Sequence, residues 1–511
     1  MVFKYKVVDK ERCERLDRDC FERFLLAPWE ACREEVVSLE ITDGDLVTQI
    51  EHVVDELDLS GLLDSYSGRG SPPHPPARLL KVMLYEIRKG RCLPTEWHDD
   101  LKSNVIVQWI AGGLRPSLAT LYRFRDRVAP WIDDWNAQVL EWAIGEGHTQ
   151  AKRVALDGTT MAAYASRHRL VSTKVLSRRL ASLEACCVAD QLSLAIGRTP
   201  GWMAESLAGR RLQCERYQQA SRRMQELQQL NQRRRSDKRR HPERIQVSAS
   251  DPDAALGYDK LNTFRPLYNV QLIGDVDSLF VLAYDVLPQV SEAKMAEPML
   301  DRMMQLTGCK PEQLLADSAY ATPHDLAVYD AAGVELVASF QENSYTDQKR
   351  SQRPAMLQKN QFRWLPEERA YVCPQGHLLP FEQKTSKQSS SGEQVRLEIY
   401  RCAPEHCMSC PLQTSCTSVP EKGRTVRRHA QQDLIDSLRQ RMASTESQRL
   451  YRRFRPTIER IFADTKEHRN LRRVNGRGLH HAKIQVGLTI LAHNMVTLAK
   501  IRSETVEKMA A

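Results

Sequence analysis

The chain has 511 residues, of which 41% are hydrophobic and 27% charged, an ordinary globular composition with length for a sizeable core and about three domains. Its first residues, MVFKYKVVDKERCERLD, are charged from the start and lack the apolar centre of a secretory signal, and no apolar run reads as long enough to cross a bilayer, so secretion and membrane insertion are not expected. An excess of 74 Lys and Arg over 65 Asp and Glu, +9 in all, permits a polyanionic partner without requiring one.

Along the chain, residues 1–70 mix charged and apolar residues at helical spacing, with Leu46, Ile50, Val53, Val54 and Leu57 on one face. The glycine- and proline-rich stretch 67–76 is a break. From Ala77 a helix resumes on the stripe Leu79, Leu80, Met83, Leu84 and Ile87. Gly112, Gly113 and Pro116 mark turns, and Ser117 opens a short helix carrying Arg123 and Arg125. Residues 71–148 thus read as a helical domain, either a helix-turn-helix reader of DNA or a plain bundle.

KRVALDGTTM at 152–161 is a buried strand ending in an acid and a glycine. Residues 166–250 are basic and glutamine-rich, a long helix or helical pair with Leu212, Met224, Leu227 and Leu230 as a thin apolar stripe. Arg233, Arg234, Arg235, Arg239 and Arg240 crowd its end, where solvent or phosphate must balance them. PLYNVQLIGD and LFVLAYDVL form a hairpin. A helix over 292–307, a strand in QLLADSAY, a helix from Thr322-Pro323 to Gly333 and the strand VELVAS follow. Residues 341–445 interrupt this alternation, and 446–511 are helical.

Three acids invite comparison. Asp157 and Asp317 each end a strand that reads as buried on both faces, so the strand ends can be neighbours in one sheet. Taken singly, each is better explained as a turn or cap residue. Glu459 lies in RFRPTIERIFADTKEHR, with Arg455 four residues before it and Lys466 seven after, on one helical stripe beside Ile458, Ile461, Phe462 and Thr465. Pro456 is expected in the first helical turn, with Arg455 just outside it. Three carboxylates without a histidine suit a hard cation such as Mg2+ (or Mn2+) and phosphoryl transfer. Of 13 cysteines, Cys373, Cys402, Cys407, Cys410 and Cys416 cluster. Cys407-x2-Cys410 has metal-ligand spacing, and a thiolate set would hold a structural Zn2+.

Taken together, strand-Asp-Gly-Thr, strand-Ala-Asp-x2-Tyr and Arg-x3-Glu-x6-Lys resemble the DDE transposases of bacterial insertion sequences. The resemblance extends to GRGSPPHPPARLLKVMLYEIRKG and PSLATLYRFR in the N-terminal half, to DPDAALGYDK before YNVQLIGD, and to the cysteine-containing segment before Glu459. It implies an α/β, RNase H-like catalytic core with helical and zinc-binding insertions, preceded by an all-α N-terminal domain. It implies Asp157, Asp317 and Glu459 as the metal-binding catalytic triad, and Arg455 and Lys466 as the basic positions of the Y-x2-R-x3-E-x6-K signature. The signature tyrosine would fall at Arg452, and Tyr451 is the nearest tyrosine. The implied activity is Mg2+-dependent cleavage of element ends in double-stranded DNA and their joining to target DNA, by a homo-oligomer assembled on DNA in the bacterial cytoplasm. The rival readings are a non-catalytic DNA-binding descendant, an RNase H-like nuclease that does not join ends, and a zinc-dependent interaction protein.

Overall fold

The computed structural model describes residues 2–4, 38–41, 44–66, 73–194, 196–339, 356–389 and 394–510. After the antiparallel pair β1 (Val2–Lys4) and β2 (Ser38–Glu40) comes a helical region: α1 (Leu46–Glu56), α2 (Ser60–Asp64), α3 (Pro76–Arg88), α4 (Pro94–Ser103), α5 (Val105–Ile110), α6 (Leu118–Arg127) and α7 (Ile132–Gly145). The apolar spacing decides which faces are buried. Ile50, Val53 and Val54 of α1 meet Leu79, Leu80, Met83 and Ile87 of α3 in one core. Helix starts follow local chemistry. Pro76 opens α3, where its missing N–H removes no bond. Ser117 caps α6 by accepting the Thr120 N–H at 3.2 Å.

The central strand is β3 (Arg153–Ala162). A first insertion follows, built from β4 (Leu170–Ser172), α8 (Thr173–Gln191), α9 (Leu207–Arg233) and β5 (Gln246–Ser248), and closed by antiparallel pairing of β4 with β5. It has its own small core, which includes Leu176, Leu183, Cys214, Tyr217, Ala220 and Met224. The expected stripe is corrected here. Leu212 and Leu230 are 56% and 49% exposed, because the buried face of α9 runs through Cys214, Tyr217, Ala220 and Met224. Arg210 is also buried and gives a bidentate pair to Asp190 at 2.6 and 2.7 Å, so one of the basic residues here already has its anion.

The sheet then completes itself. β6 (Ala255–Tyr258) and β8 (Val281–Leu287) pair antiparallel along the outer edge of β7 (Phe264–Asp275). β7 pairs antiparallel with β3. On the other side of β3, β9 (Gln313–Ala316) runs parallel, and β10 (Glu335–Ala338) runs parallel to β9. The strand order is therefore β8-β7-β3-β9-β10. Helices α10 (Ala296–Thr307) and α11 (Pro323–Ala332) connect the later strands, as crossovers between parallel strands require.

A second insertion holds two three-stranded antiparallel sheets: β11 (Arg363–Leu365), β12 (Ala370–Val372) and β13 (Leu378–Leu379), then β14 (Phe381–Gln388), β15 (Gln394–Arg401) and β16 (Thr425–His429). Short helices α12 (Pro404–Met408) and α13 (Gln413–Cys416) lie between β15 and β16. The chain ends with α14 (Gln432–Met442), α15 (Thr445–Ala463), a π-helical turn over Asp464–His468, and α16 (Leu479–Ala510).

Two expectations about these helices need correction. Ser444 caps α15 by accepting the Ser447 N–H at 3.1 Å, so Pro456 lies inside the helix and the backbone of Arg455 is helical. The proline forfeits the bond to the Arg452 carbonyl at an exposed position of the helix, while the buried Ile458 and Ile461 beyond it hold the helix to the core. A stretch of α16, Leu479–Thr505, also contains an 18-residue window apolar enough to span a bilayer, and 83% of that window is buried inside the protein. It is a core helix, packed on α1, α3, α7 and β8. Asn494 fastens it to the sheet, accepting from the Val281 N–H and donating to the Val281 carbonyl, both at 2.9 Å.

Candidate active site

β3 is longer than its parallel neighbour, and that difference opens the site. β9 ends at Ala316 opposite Leu156. Asp157 is the next residue of β3, and Asp317 is the next residue after β9. Adjacent strands lie about 4.8 Å apart, so the two carboxylates emerge side by side. Asp157 accepts the Gly158 N–H at 2.7 Å. Asp317 accepts the Ala319 N–H at 2.7 Å and caps a short turn over Ser318–Tyr320.

Glu459 arrives from α15, which packs on β3 and β7. Ile458 and Ile461 on that helix are buried, and Gly274 of β7 lets them approach; a Cβ there would come within 2.5 Å of Ile461 Cδ1. Glu459 itself is exposed. The charges of the other two acids act on Asp157. Burial first, then the nearby Asp317 and Glu459, push Asp157 up to about 6, against the opposing Gly158 N–H and Lys260.

Lys466 lies in the π-helical turn rather than on a continuous α-helical stripe. Asp157 is among the charges that act on it. Burial, with help from Lys260 and Arg472, brings Lys466 down to about 8. The turn is clamped from below. Asp464 accepts from Arg88 at 2.8 Å and from Arg469 at 2.9 Å, and meets His493 at 3.2 Å. Burial would raise Asp464, but these partners hold it well below the usual carboxylate range.

Several neighbours carry no readable signal in the sequence. Glu292 follows β8 in an irregular segment, and its Oε1 would lie 2.7 Å from a Cβ placed on Gly158. Burial, then Asp157 and Asp317, raise Glu292 to about 7. Tyr320 is fully buried and donates its hydroxyl to Gln271 Oε1 at 2.7 Å. Gly158 admits this group: a side chain there would meet Gln271, Glu292 and Tyr320 at once. Only the Asp-Gly pair hinted at such crowding.

The other expected site residues are more dispersed. The side chain of Arg455 lies outside the described residues. Arg123 is exposed on α6, whereas Arg125 is 9% exposed and pairs with Asp126 at 2.7 Å. Arg233, Arg234, Arg235, Arg239 and Arg240 sit where α9 ends. Arg235 pairs with Asp237, and Arg233, Arg239 and Arg240 are exposed.

In the second insertion, Cys402, Cys407 and Cys416 are buried with Phe362, Tyr371 and Tyr400, and Cys373 packs against them. Burial, then Cys407, Cys373 and Cys416, push Cys402 up to about 12. Cys410 acts on Cys416. Backbone N–H groups point at two sulfurs, His377 at Cys373 (3.4 Å) and Arg424 at Cys407 (3.3 Å). Among the described residues, no three His, Cys, Asp or Glu side chains stand in coordinating arrangement.

Two family models match the chain. "Transposase DDE domain" matches residues 372–499, a span that holds Glu459, Lys466 and the cysteines. "Transposase domain (DUF772)" matches residues 35–127, the helical N-terminal region. No curated protein matches. The mixed α/β architecture agrees with both matches, and together they support the assignment of this chain to the DDE transposases of the insertion-sequence type.

Proposed function

We propose that the protein binds the terminal repeats of an insertion element, cleaves the DNA at the element's ends and joins the freed ends to target DNA. Asp157, Asp317 and Glu459 are its catalytic residues. The observation that carries this reading is the meeting of these acids from two strand ends and one helix, more than 140 residues apart in sequence at each step, close enough for Asp317 and Glu459 to act on Asp157. The order β8-β7-β3-β9-β10, with β7 antiparallel and β9 and β10 parallel to β3, supports an RNase H-like core. We read that core as residues 149–340 with 446–511, interrupted by insertions at 166–250 and 341–445 and preceded by residues 1–70 and a helical domain at 71–148.

The chemistry of the donor set fits a divalent cation, although among the described residues no three of these side chains already stand in coordinating arrangement. The donors are all carboxylates, the chemistry that Mg2+ or Mn2+ takes, and a counter-charge would oppose the rise that burial and then the neighbouring acids impose on Asp157. When bound, such ions supply charge stabilisation at a phosphate undergoing in-line displacement. The chain's own groups do the remainder. Lys466 presents positive charge to the phosphodiester, the role that the signature also assigns to Arg455. Tyr320 and Gln271, joined by a hydrogen bond, pack against Gly158 beside Asp157. Asp464 holds the turn that presents Lys466. The thiols of Cys373, Cys402, Cys407, Cys410 and Cys416 fit a structural Zn2+, four of them sufficing for a closed tetrahedral set. DNA is the partner, and an oligomer on DNA brings two ends together; a cytoplasmic location goes with that substrate.

The test is cleavage of DNA carrying the flanking terminal repeats, with Mg2+ present, by the wild type and by Asp157→Ala, Asp317→Ala and Glu459→Ala. We expect nicking at the repeat ends and strand-transfer products from the wild type. Each variant should lose at least about 10³-fold in rate while still binding. Binding without cutting by the wild type would favour a non-catalytic DNA-binding protein, and cutting without joined products would favour a nuclease.

A further inference from the structure

Beyond the acids, β3 leads into a second feature that none of the expected DNA-binding residues touches. β9 leaves the edge of β3 after Leu156. Asp317 comes next along that edge. Further on, the same edge is taken by the loop before α16. There Ala162 bridges to Arg473 in parallel, its N–H donating to the Arg472 carbonyl at 3.0 Å and its carbonyl accepting from Val474 at 2.9 Å. The acids and this loop therefore lie in line on one strand edge. Asp157 and Ala162 are five residues apart, about 17 Å in extended chain.

A cleft of about 460 Å³ opens at this far end, lined by Arg167, Arg169, Arg265, Arg473, Arg477 and Tyr164, and no Asp or Glu is among its lining residues. Arg167, Arg169, Arg473 and Arg477 are exposed, and Asp259 pairs with Arg265 at 3.0 Å. Arg473 and Arg477 stand 5.6 and 6.0 Å from the centre of the Tyr164 ring, which is 47% exposed. Arg216, from the first insertion, also feels the positive charge of Arg477. The buried Asp251 acts on Arg477 from behind the cleft, but the guanidiniums that line it outnumber the acids near them, an arrangement that favours an entering anion. Planar guanidiniums with forked donors match phosphate oxygens.

We infer that this arginine cleft is the track for the DNA backbone leaving the active site, engaging phosphates about five nucleotides from the one held at Asp157 and Asp317. The inference rests on the proposed function for its ligand and on the β3 edge for its direction. The binding is to phosphate and is therefore independent of base sequence.

The test uses the full chain and a mixed-sequence duplex of about 30 base pairs, with affinity measured by fluorescence anisotropy over a range of salt concentrations. The quadruple variant Arg167→Ala, Arg169→Ala, Arg473→Ala, Arg477→Ala should bind at least about tenfold more weakly, with the slope of log K against log salt reduced by about 0.9 for each phosphate that the protein no longer neutralises. The matching quadruple lysine variant should keep the wild-type slope. An alanine variant whose slope falls by less than the value for a single phosphate, whatever its affinity, overturns the inference, and so does a lysine variant whose slope falls as far as the alanine one. The two readings fail separately. A wild type that shows the full slope and the alanine loss but never cuts repeat DNA overturns the proposed function alone. A wild type that cuts, with no change of slope in the alanine variant, overturns the cleft alone.

Discussion

Buried carboxylates set much of the local electrostatics, and Glu86 on α3 is the clearest case away from the acid cluster. Its side chain is 1% exposed, shares Arg91 with Asp100, and contacts that guanidinium at 3.1 Å. Burial, then repulsion from Asp100, raise Glu86 to about 8 despite Arg91. The sign follows from linkage. The folded state binds the proton more tightly than the unfolded chain does, so this contribution is fully present below the unfolded value near 4.5 and is lost as pH rises through about 8. Urea unfolding of the wild type should show stability falling between pH 5 and pH 8.5 more steeply than in Glu86→Gln, by on the order of 1–3 kcal/mol. Equal slopes in the two proteins would show that Glu86 is ionised throughout. Asp157 and Glu292 are raised for the same reason, burial first and neighbouring acids second, but there a bound cation would oppose the shift.

At the scale of elements, the π-helical turn Asp464–His468 is the piece that joins the N-terminal helices to the site. Asp464 binds Arg88 from α3, Arg469 from the next loop and His493 from α16. Arg469 also donates to the Arg88 carbonyl. Thr465 is buried beneath the turn, with its hydroxyl donating to the Ile461 carbonyl at 2.9 Å. π-helical turns are rare and concentrate at functional positions, and this one delivers Lys466 beside the acids. Asp464→Asn should cost about 3 kcal/mol, because two arginines lose a partly buried partner, and it should lower cleavage further than the stability loss accounts for. Thermal melts alongside cleavage rates at a temperature where both proteins remain folded would check it. An unchanged melt would remove the clamp from the account.

For the whole molecule, the main core runs unbroken from α1 and α3 through the sheet to α15 and α16, whereas each insertion packs around its own small cluster. The second insertion has few large apolar residues for its length, and its cysteines sit inside that cluster, so its fold should depend on metal. Removing the proposed Zn2+ with a chelator, or substituting Cys407→Ser, should expose Tyr371, Tyr400 and Trp364 to solvent quenching and to proteolysis while the main core keeps its melting transition. Full protection of this segment after metal removal would show that its apolar contacts suffice.

Much of this was legible along the chain. The strand-Asp-Gly and strand-Ala-Asp patterns, the β7–β8 hairpin, the Thr322 start and Gly333 stop of α11, and the buried Ile458, Ile461 and Phe462 follow local rules of periodicity, capping and turn chemistry. Those rules act over a few residues, so sequence alone determines them. The same reading placed Pro456 at a helix start, kept Lys466 on an α-helical stripe and put Leu212 and Leu230 on the apolar stripe of α9. Each of these turned on packing that local spacing does not show: the Ser444 cap and the sheet packing of α15, the Asp464 clamp, and the α8–α9 face. Glu292, Lys260 and the arginine cleft had no pattern to reveal them. The cleft forms because β9 is shorter than β3 and leaves a strand edge free, first beside Asp157 and then for the Arg473 loop. Chain order holds the residue types and their local geometry; only the sheet, by pairing strands more than 100 residues apart, decides which charges must share one small volume.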